Sequence, residues 1–364
     1  MMTRFMLAHS ATSDWQAAVD DCLQQLADIP TGANLGFIYA TDYFASDLGH
    51  ILRELQERTG LPHWVGSIGS AICCSNKEYY DEAALAIMVC QFPDNSFSLF
   101  QEPEQVKSRD DDGLQVVVVH GDPRNGQMPQ LIEQFASQAG NRYLIGGLTS
   151  SGSYYYQIAD GITEGQLSGV MFTEQVPVLT GLTQGCTPLG PVHSLTECEG
   201  HYAVSLDERP ALEILKEDIG EILARDLNRI GGYIFAAFPV SGSDTGDYLV
   251  RNLVGIDPEQ GVLAIGEYLQ TGQRIMFCKR DGKSAVQDLE RMLRDIKQRL
   301  PSAPKGGLYF SCLGRGQHMF GQPGKEMELI AAQLGDIPLI GFYANGEIAG
   351  QRLYGYTGVL TLFI

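Results

Sequence analysis

No C-x-x-C, H-E-x-x-H or C-x-x-C-H occurs in the chain, which disfavours a zinc site local in sequence and covalently attached haem. No stretch approaches the roughly 18 uninterrupted apolar residues of a membrane span. The N-terminal run Met1-Met2-Thr3-Arg4-Phe5-Met6-Leu7-Ala8-His9 lacks a long enough apolar core for a signal peptide. Positive charge is scarce. With 25 Lys and Arg against 44 Asp and Glu, the formal net charge is −19, which repels phosphate backbones and anionic bilayers. The expectation is a cytoplasmic protein with neither nucleic acid nor membrane as partner. Cysteines are few, eight in all, and sit mostly in apolar runs such as Ile87-Met88-Val89-Cys90 and Ile275-Met276-Phe277-Cys278. A free thiol there behaves as a small hydrophobe, and a reducing compartment fits.

What is present is a globular composition, 44% hydrophobic and 19% charged, over 364 residues, which points to two packed domains. A frame of strand, helix and strands occurs three times. The first copy has strand 35–40, a helix from Ser46 or Asp47 to Thr59 with Gly60 as its C-cap, the segment 62–72, and strands at 83–92 and 96–100. The second has strand 116–120, a helix over 129–139 ended by Gly140, the segment 143–152, and strands near 167–172 and 176–182. The third has strand 308–312, helix 326–334, the segment 338–348 and a closing strand 357–363. A β-α-β-β-β unit of this kind makes a mixed sheet with helices on one face, so the fold class is mixed α/β, with two related halves packed together.

Between the copies, Arg109 with Asp110-Asp111-Asp112 reads as a solvated loop, and a helix at 210–230 separates the halves. Strands at 233–238, 248–256, 262–265 and 274–279 follow, with a hairpin turn at Asp257–Gly261 and a long helix at 285–300. The two G-x-x-x-x-G segments, Gly147–Gly152 and Gly341–Gly346, lack the Lys and Ser or Thr of a phosphate-binding loop, and tight turns account for their glycines. By spacing, Glu347 falls where the second copy has Ser153. Asp244-Thr245-Gly246 spells an aspartic-protease motif, but its flanks are polar and no second copy exists.

The candidate chemistry lies at the ends of the third copy's strands, in Cys312-Leu313-Gly314-Arg315-Gly316 and Gly341–Ile348. Open α/β sheets gather ligands at the carboxyl ends of their strands. The planar fork of Arg315 suits a ligand carboxylate, and Glu347 suits an ammonium or polar headgroup, so the pair points to an amino-acid-like or other small polar ligand, with Phe342, Asn345 and Cys312 lining the site. The structural alternative is an internal Arg315–Glu347 ion pair. Cys312 as a nucleophile needs a lowered pKa and a base, and His318 is the local candidate. Among seven dispersed histidines, His63 and His120 are the best placed to ligate a haem.

The chain resembles the FIST family, a two-part sensory module of signal-transduction proteins. The resemblance is carried by Trp64-Val65-Gly66, Gly185-Cys186-Thr187-Pro188-Leu189-Gly190, Leu206-Asp207 with Pro210-Ala211-Leu212, Leu249–Leu253 with Gly255 and Gly261, Phe310–Gly316, and Gly341-Phe342-Tyr343 with Gly346-Glu347-Ile348. It implies an N-terminal domain over 34–209 holding two copies and a C-terminal domain over 210–364 holding the third. It further implies a non-enzymatic small-ligand sensor signalling through a separate partner. Some relatives bind haem, sense nitric oxide and act with a histidine kinase. In the first copy Gly-Ser-Ala-Ile (69–72) stands where members often show Gly-Glu-Ile, so an acid-dependent site falls to Glu347.

Overall fold

Three glycines lie pressed against a neighbouring parallel strand. A Cβ at Gly66, Gly146 or Gly341 would stand 1.7, 1.8 or 1.7 Å from the carbonyl oxygen of Ile38, Val119 or Tyr309. In the computed structural model these are equivalent positions of three copies of one frame. Residues 5–26, 28–106, 115–138, 142–242 and 246–364 are described. Gly140, the Arg109–Asp112 loop and Asp244-Thr245 lie outside them.

The first copy runs β1 (Phe5–Ser10), α1 (Trp15–Gln25), β2 (Leu35–Thr41), α2 (Leu48–Thr59), β3 (Trp64–Gly69), β4 (Ala71–Cys74), β5 (Lys77–Tyr80) and β6 (Leu85–Cys90). The second runs β7 (Phe97–Phe100), β8 (Gln115–Gly121), α3 (Met128–Ser137), β9 (Arg142–Leu148), β10 (Gln157–Ala159), β11 (Ile162–Thr163) and β12 (Leu167–Phe172). The third opens with β13 (Val178–Gln184). Before it resumes, the chain forms β14 (Cys186–Pro188), β15 (His193–Glu199), β16 (Tyr202–Leu206), β17 (Arg209–Pro210), α4 (Ala211–Ala224), β18 (Ile234–Pro239), β19 (Tyr248–Asp257), β20 (Val262–Ile265) and β21 (Arg274–Arg280). It then completes the third copy with α5 (Gly282–Arg299), β22 (Gly306–Cys312), α6 (Gln317–Phe320), α7 (Lys325–Leu334), β23 (Leu339–Ala344), β24 (Glu347–Gly350), β25 (Arg352–Tyr354) and β26 (Thr357–Phe363). One unit comprises Met1–Thr183 with Leu289–Ile364, and the other is Gln184–Asp288.

In the first unit three six-stranded sheets have one order: β1-β6-β2-β3-β10-β11, β7-β12-β8-β9-β24-β25 and β13-β26-β22-β23-β4-β5. Each is built on a parallel pair, β2–β3, β8–β9 or β22–β23. The fifth and sixth strands always come from another copy, so the three hairpins are exchanged cyclically. No copy completes its sheet alone. Helices cover the outer faces: α1 and α2 the first sheet, α3 the second, α5 and α7 the third. Their apolar stripes supply the burial, as with Leu48, Ile51, Leu52 and Leu55 of α2, which Gly60 ends in the left-handed region at φ 67°. The inner faces meet in aromatic packing. Tyr39, His120 and Phe310, which occupy the same register position in β2, β8 and β22, stand 5.5 to 6.1 Å apart by ring centre.

In the second unit the order β21-β15-β16-β20-β19-β18 closes when β18 pairs back onto β21, which removes the sheet edges. α4 buries Ala211, Leu212, Ile214, Leu215 and Ile219 in the same cluster as Leu195, Leu206, Leu263 and Phe277. The helix expected over 210–230 is therefore shorter and belongs inside this unit. Gly220, at φ 77°, breaks it, and a 3-10 turn follows at Leu227–Arg229.

Candidate functional site

On β22 the pleat sends Tyr309 and Ser311 to the helix-covered face and Phe310 to the aromatic interior. Glu326, on the first turn of α7, meets that covered face and has no exposed surface. Its Oε1 accepts from Arg315 Nε at 2.9 Å, from Arg315 Nη2 at 2.7 Å and from the Tyr309 hydroxyl at 2.6 Å, and its Oε2 accepts from Ser311 Oγ at 3.0 Å. The ring of Phe320 lies 5.2 Å from the guanidinium carbon. Burial works against the charge of Arg315, but Glu326 more than offsets it and holds the guanidinium above its ordinary pKa. A second carboxylate arrives on the exchanged hairpin. Glu78 of β5 accepts from the backbone N–H of Gly324 at 2.9 Å and of Met327 at 3.4 Å, capping α7 from another copy, and also from Tyr80 Oη at 2.9 Å.

Three buried polar atoms around this cluster, Arg315 Nη1, Tyr343 Oη and Glu347 Oε1, make no hydrogen bond of ordinary geometry among the described residues, although the Tyr343 hydroxyl lies near Glu78 and Tyr80 and the Cys312 thiol near Glu347. Glu347 begins β24, is fully buried, and takes the Thr357 N–H at 3.0 Å and Thr357 Oγ1 at 2.8 Å on Oε2 alone. Burial pushes its carboxyl up to about 8, against those two hydrogen bonds and the nearby charge of Arg315. Cys312 reaches the same carboxylate. Burial, and then the charge of Glu347, push its thiol up, the direction opposite to that of an activated nucleophile. His318 is exposed on α6.

Of the residues expected to form one site, Arg315, Glu347 and Cys312 gather at the ends of β22 and β24. The internal partner of Arg315 is Glu326 and not Glu347. Phe342 instead faces the interior, stacked on Tyr39 at 5.4 Å, and Asn345 is exposed in the turn before β24. Glu347 does not take the place of Ser153. Strand register sets Glu347 opposite Gly147, Gln157 opposite Ser67 and Ile72 opposite Phe342, so Gln157 and Ile72 are its counterparts. The longer chain between β9 and β10 displaced the spacing. Glu326, Tyr309, Ser311, Tyr343 and Glu78 were missed. Glu326 did leave a signal: it lies four residues before Ile330, a carboxylate in an apolar stripe.

The two histidines expected as haem ligands lie in different settings. His120 is fully buried, its Nε2 is 2.9 Å from Tyr39 Oη, and the rings of Phe310 and Phe342 pack against it, so a macrocycle has no face to approach. His63 is half-exposed, with Nδ1 2.8 Å from Asp160 Oδ2 and Phe97 edge-on to its ring. Among the described residues no group of three or more His, Cys, Asp or Glu is arranged to hold a metal ion, and no helix is long and apolar enough to cross a membrane.

The family model for the FIST N domain matches residues 34–209, and that for the FIST C domain matches residues 211–350. The chain belongs to the FIST family. FIST domains are sensory domains for small ligands. An uncharacterized protein of Mycobacterium bovis is 30% identical over 359 residues, 91% of this chain and 89% of the relative. An uncharacterized protein of Mycobacterium tuberculosis is 34% identical over 259 residues, 67% of this chain, and the match spans 66% of that relative's length. The boundary between the two family segments falls in the second unit, whereas the first unit draws on both segments. The candidate site lies in that first unit, and Glu78 joins it from the FIST N segment.

Proposed function

We propose that this FIST chain binds a small polar metabolite, amino-acid-like in its mix of donors and acceptors, and signals its presence without transforming it. The observation that carries the reading is a set of three buried polar atoms in the third copy that make no hydrogen bond of ordinary geometry among the described residues: Arg315 Nη1, Tyr343 Oη and Glu347 Oε1. Each costs about 1–3 kcal/mol while unpaired, so a ligand that pairs them recovers binding energy at the spot. Arg315 Nη1 donates to a ligand carboxylate or carbonyl, and Glu347 receives an ammonium or, protonated, donates to an acceptor. Because Glu326 already neutralises Arg315, binding depends on hydrogen bonding and fit rather than on a bare ion pair.

A separate protein carries the output, and a histidine kinase is the partner class that the family resemblance brings. The cytoplasm is the compartment we assign, on the strength of the unpaired, mostly buried cysteines.

The test is a thermal-shift screen of amino acids and other small polar metabolites. A ligand at a hundred times its Kd stabilises by about 2.7 kcal/mol. Glu347→Gln and Tyr343→Phe preserve shape and are expected to lower affinity for the hit at least tenfold. Wild-type affinity in both variants would refute the site.

A further inference from the structure

The three copies differ in how their sheets are covered. The connection from β1 to β2 carries α1, and the chain enters β22 through α5, so the first and third sheets each have two helices on the outer face. In the second copy the connection from β7 to β8 holds, among the described residues, a 3-10 turn at Pro103–Gln105, and α3 covers its sheet without a companion helix. Beside α3 lies a cavity of about 590 Å³, within the ~300–1,000 Å³ common for small-molecule sites. Gln127, at the cap of α3, lines it together with Gln130, Leu131 and Gln134, which share that face at i, i+3, i+4 and i+7, and Glu104 and Gln166 line the remainder.

These walls are tied together by a buried carboxylate. Asp122, 1% exposed, accepts the Gly165 N–H at 2.9 Å and Arg124 Nη2 at 2.6 Å, and donates its own N–H to Gln166 O at 3.3 Å. Asn125 Nδ2 donates to Gly165 O at 2.9 Å while its Oδ1 accepts the Gln127 N–H at 3.0 Å. The cavity is thus held open before a ligand arrives, which lowers the cost of binding. Arg124 is engaged by Asp122 and Glu164 and lies over the Tyr155 ring, so its charge is not offered to the cavity.

We propose that this cavity is a second binding site, for a neutral polyhydroxylated ligand such as a mono- or disaccharide. Five of the lining side chains, Asn125 among them, are primary amides, and none is cationic. An amide both donates and accepts, as a hydroxyl does, and carries no charge to desolvate. Glu104 accepts from the adjacent hydroxyls of a diol and repels phosphate esters and carboxylates. Leu131 gives the C–H face of a sugar ring an apolar surface. A partner helix would need a longer apolar stripe than this one leucine supplies.

The test is titration calorimetry of the full-length protein with glucose, maltose and myo-inositol, and with glucose 6-phosphate as the anionic probe. At least one neutral probe is expected to bind, and the phosphate ester to bind more weakly than that probe. The double variant Gln130→Ala, Gln134→Ala changes two exposed positions where alanine favours the helix, so it is expected to fold; it and Glu104→Gln are each expected to weaken binding about tenfold. Glu347→Gln is expected to bind the saccharide as the wild type does, which separates this site from the one in the third copy. Binding of none of the neutral probes, tighter binding of the phosphate ester, wild-type affinity in the α3 double variant, or loss of binding in Glu347→Gln would overturn the proposal.

Discussion

Arg315 places two nitrogens, Nε and Nη2, on a single oxygen of Glu326 at 2.9 and 2.7 Å, both side chains being wholly buried. The geometry satisfies the carboxylate from one side and leaves Nη1 open on the other. Arg315 therefore has two tasks, holding α7 onto β22 and presenting one donor.

Breaking this pair from one end strands a buried charge. Arg315→Ala is expected to cost about 3–5 kcal/mol, and so is Glu326→Ala, whereas Arg315→Met with Glu326→Leu is expected to recover part of that loss. Urea unfolding of the four proteins measures the coupling. Additive single effects would show that the two side chains do not act as a pair.

Glu347 gives stability a pH dependence of known sign. Its carboxyl is raised from 4.5 to about 8, so between those values the folded state keeps a proton that the unfolded state has released. This contribution is complete below the unfolded value and lost as pH rises through the folded one. Stability of the wild type is expected to fall across that window, and Glu347→Gln to flatten the fall. A titration of the urea midpoint reads it directly.

His193 produces a second dependence. Its ring lies between Asp207 Oδ2 at 2.6 Å and Asp218 Oδ2 at 3.0 Å. Burial opposes its charge, but the two hydrogen-bonded carboxylates prevail and raise it above 6.5; Arg274 acts on Asp207, and Glu217 senses the imidazolium. The stabilisation is fully present below the unfolded value of about 6.5 and is lost as pH rises through the raised folded one. Asp218→Asn is expected to move the midpoint of this transition toward lower pH, as followed by the C2–H resonance of His193. An unchanged midpoint would remove Asp218 from the account.

Two glycines separate packing from propensity. Gly341→Ala drives a Cβ to 1.7 Å from the Tyr309 carbonyl and is expected to destabilise by about 1–3 kcal/mol or more. Gly49→Ala, exposed on α2 with no atom within 4 Å of the new Cβ, is expected to stabilise by up to about 1 kcal/mol. Thermal unfolding of both variants checks the contrast.

Strand and helix positions were legible where one period dominates. The closing strand expected over 357–363 is β26, and the helix expected over 326–334 is α7 to within one residue. The exchange of hairpins was not legible, because a strand's alternation records which face is buried and says nothing of which partner lies beside it. That exchange carried Glu78 and Tyr80 from the first copy to the third copy's site. Phe342 was misplaced for a related reason: next to Tyr343 in sequence, it points to the opposite face of the sheet. Arg315 and Glu347 stood out as charges among apolar strand ends, yet only the packing of α7 revealed that Glu326 is the carboxylate that Arg315 holds.

The most direct test of the central claim is a crystal structure of the protein with a metabolite taken from the thermal-shift screen. Ligand atoms are expected within hydrogen-bond distance of Arg315 Nη1, Tyr343 Oη and Glu347 Oε1, with the Arg315–Glu326 pair intact. A ligand seated elsewhere, with those three atoms still unpaired, would contradict it.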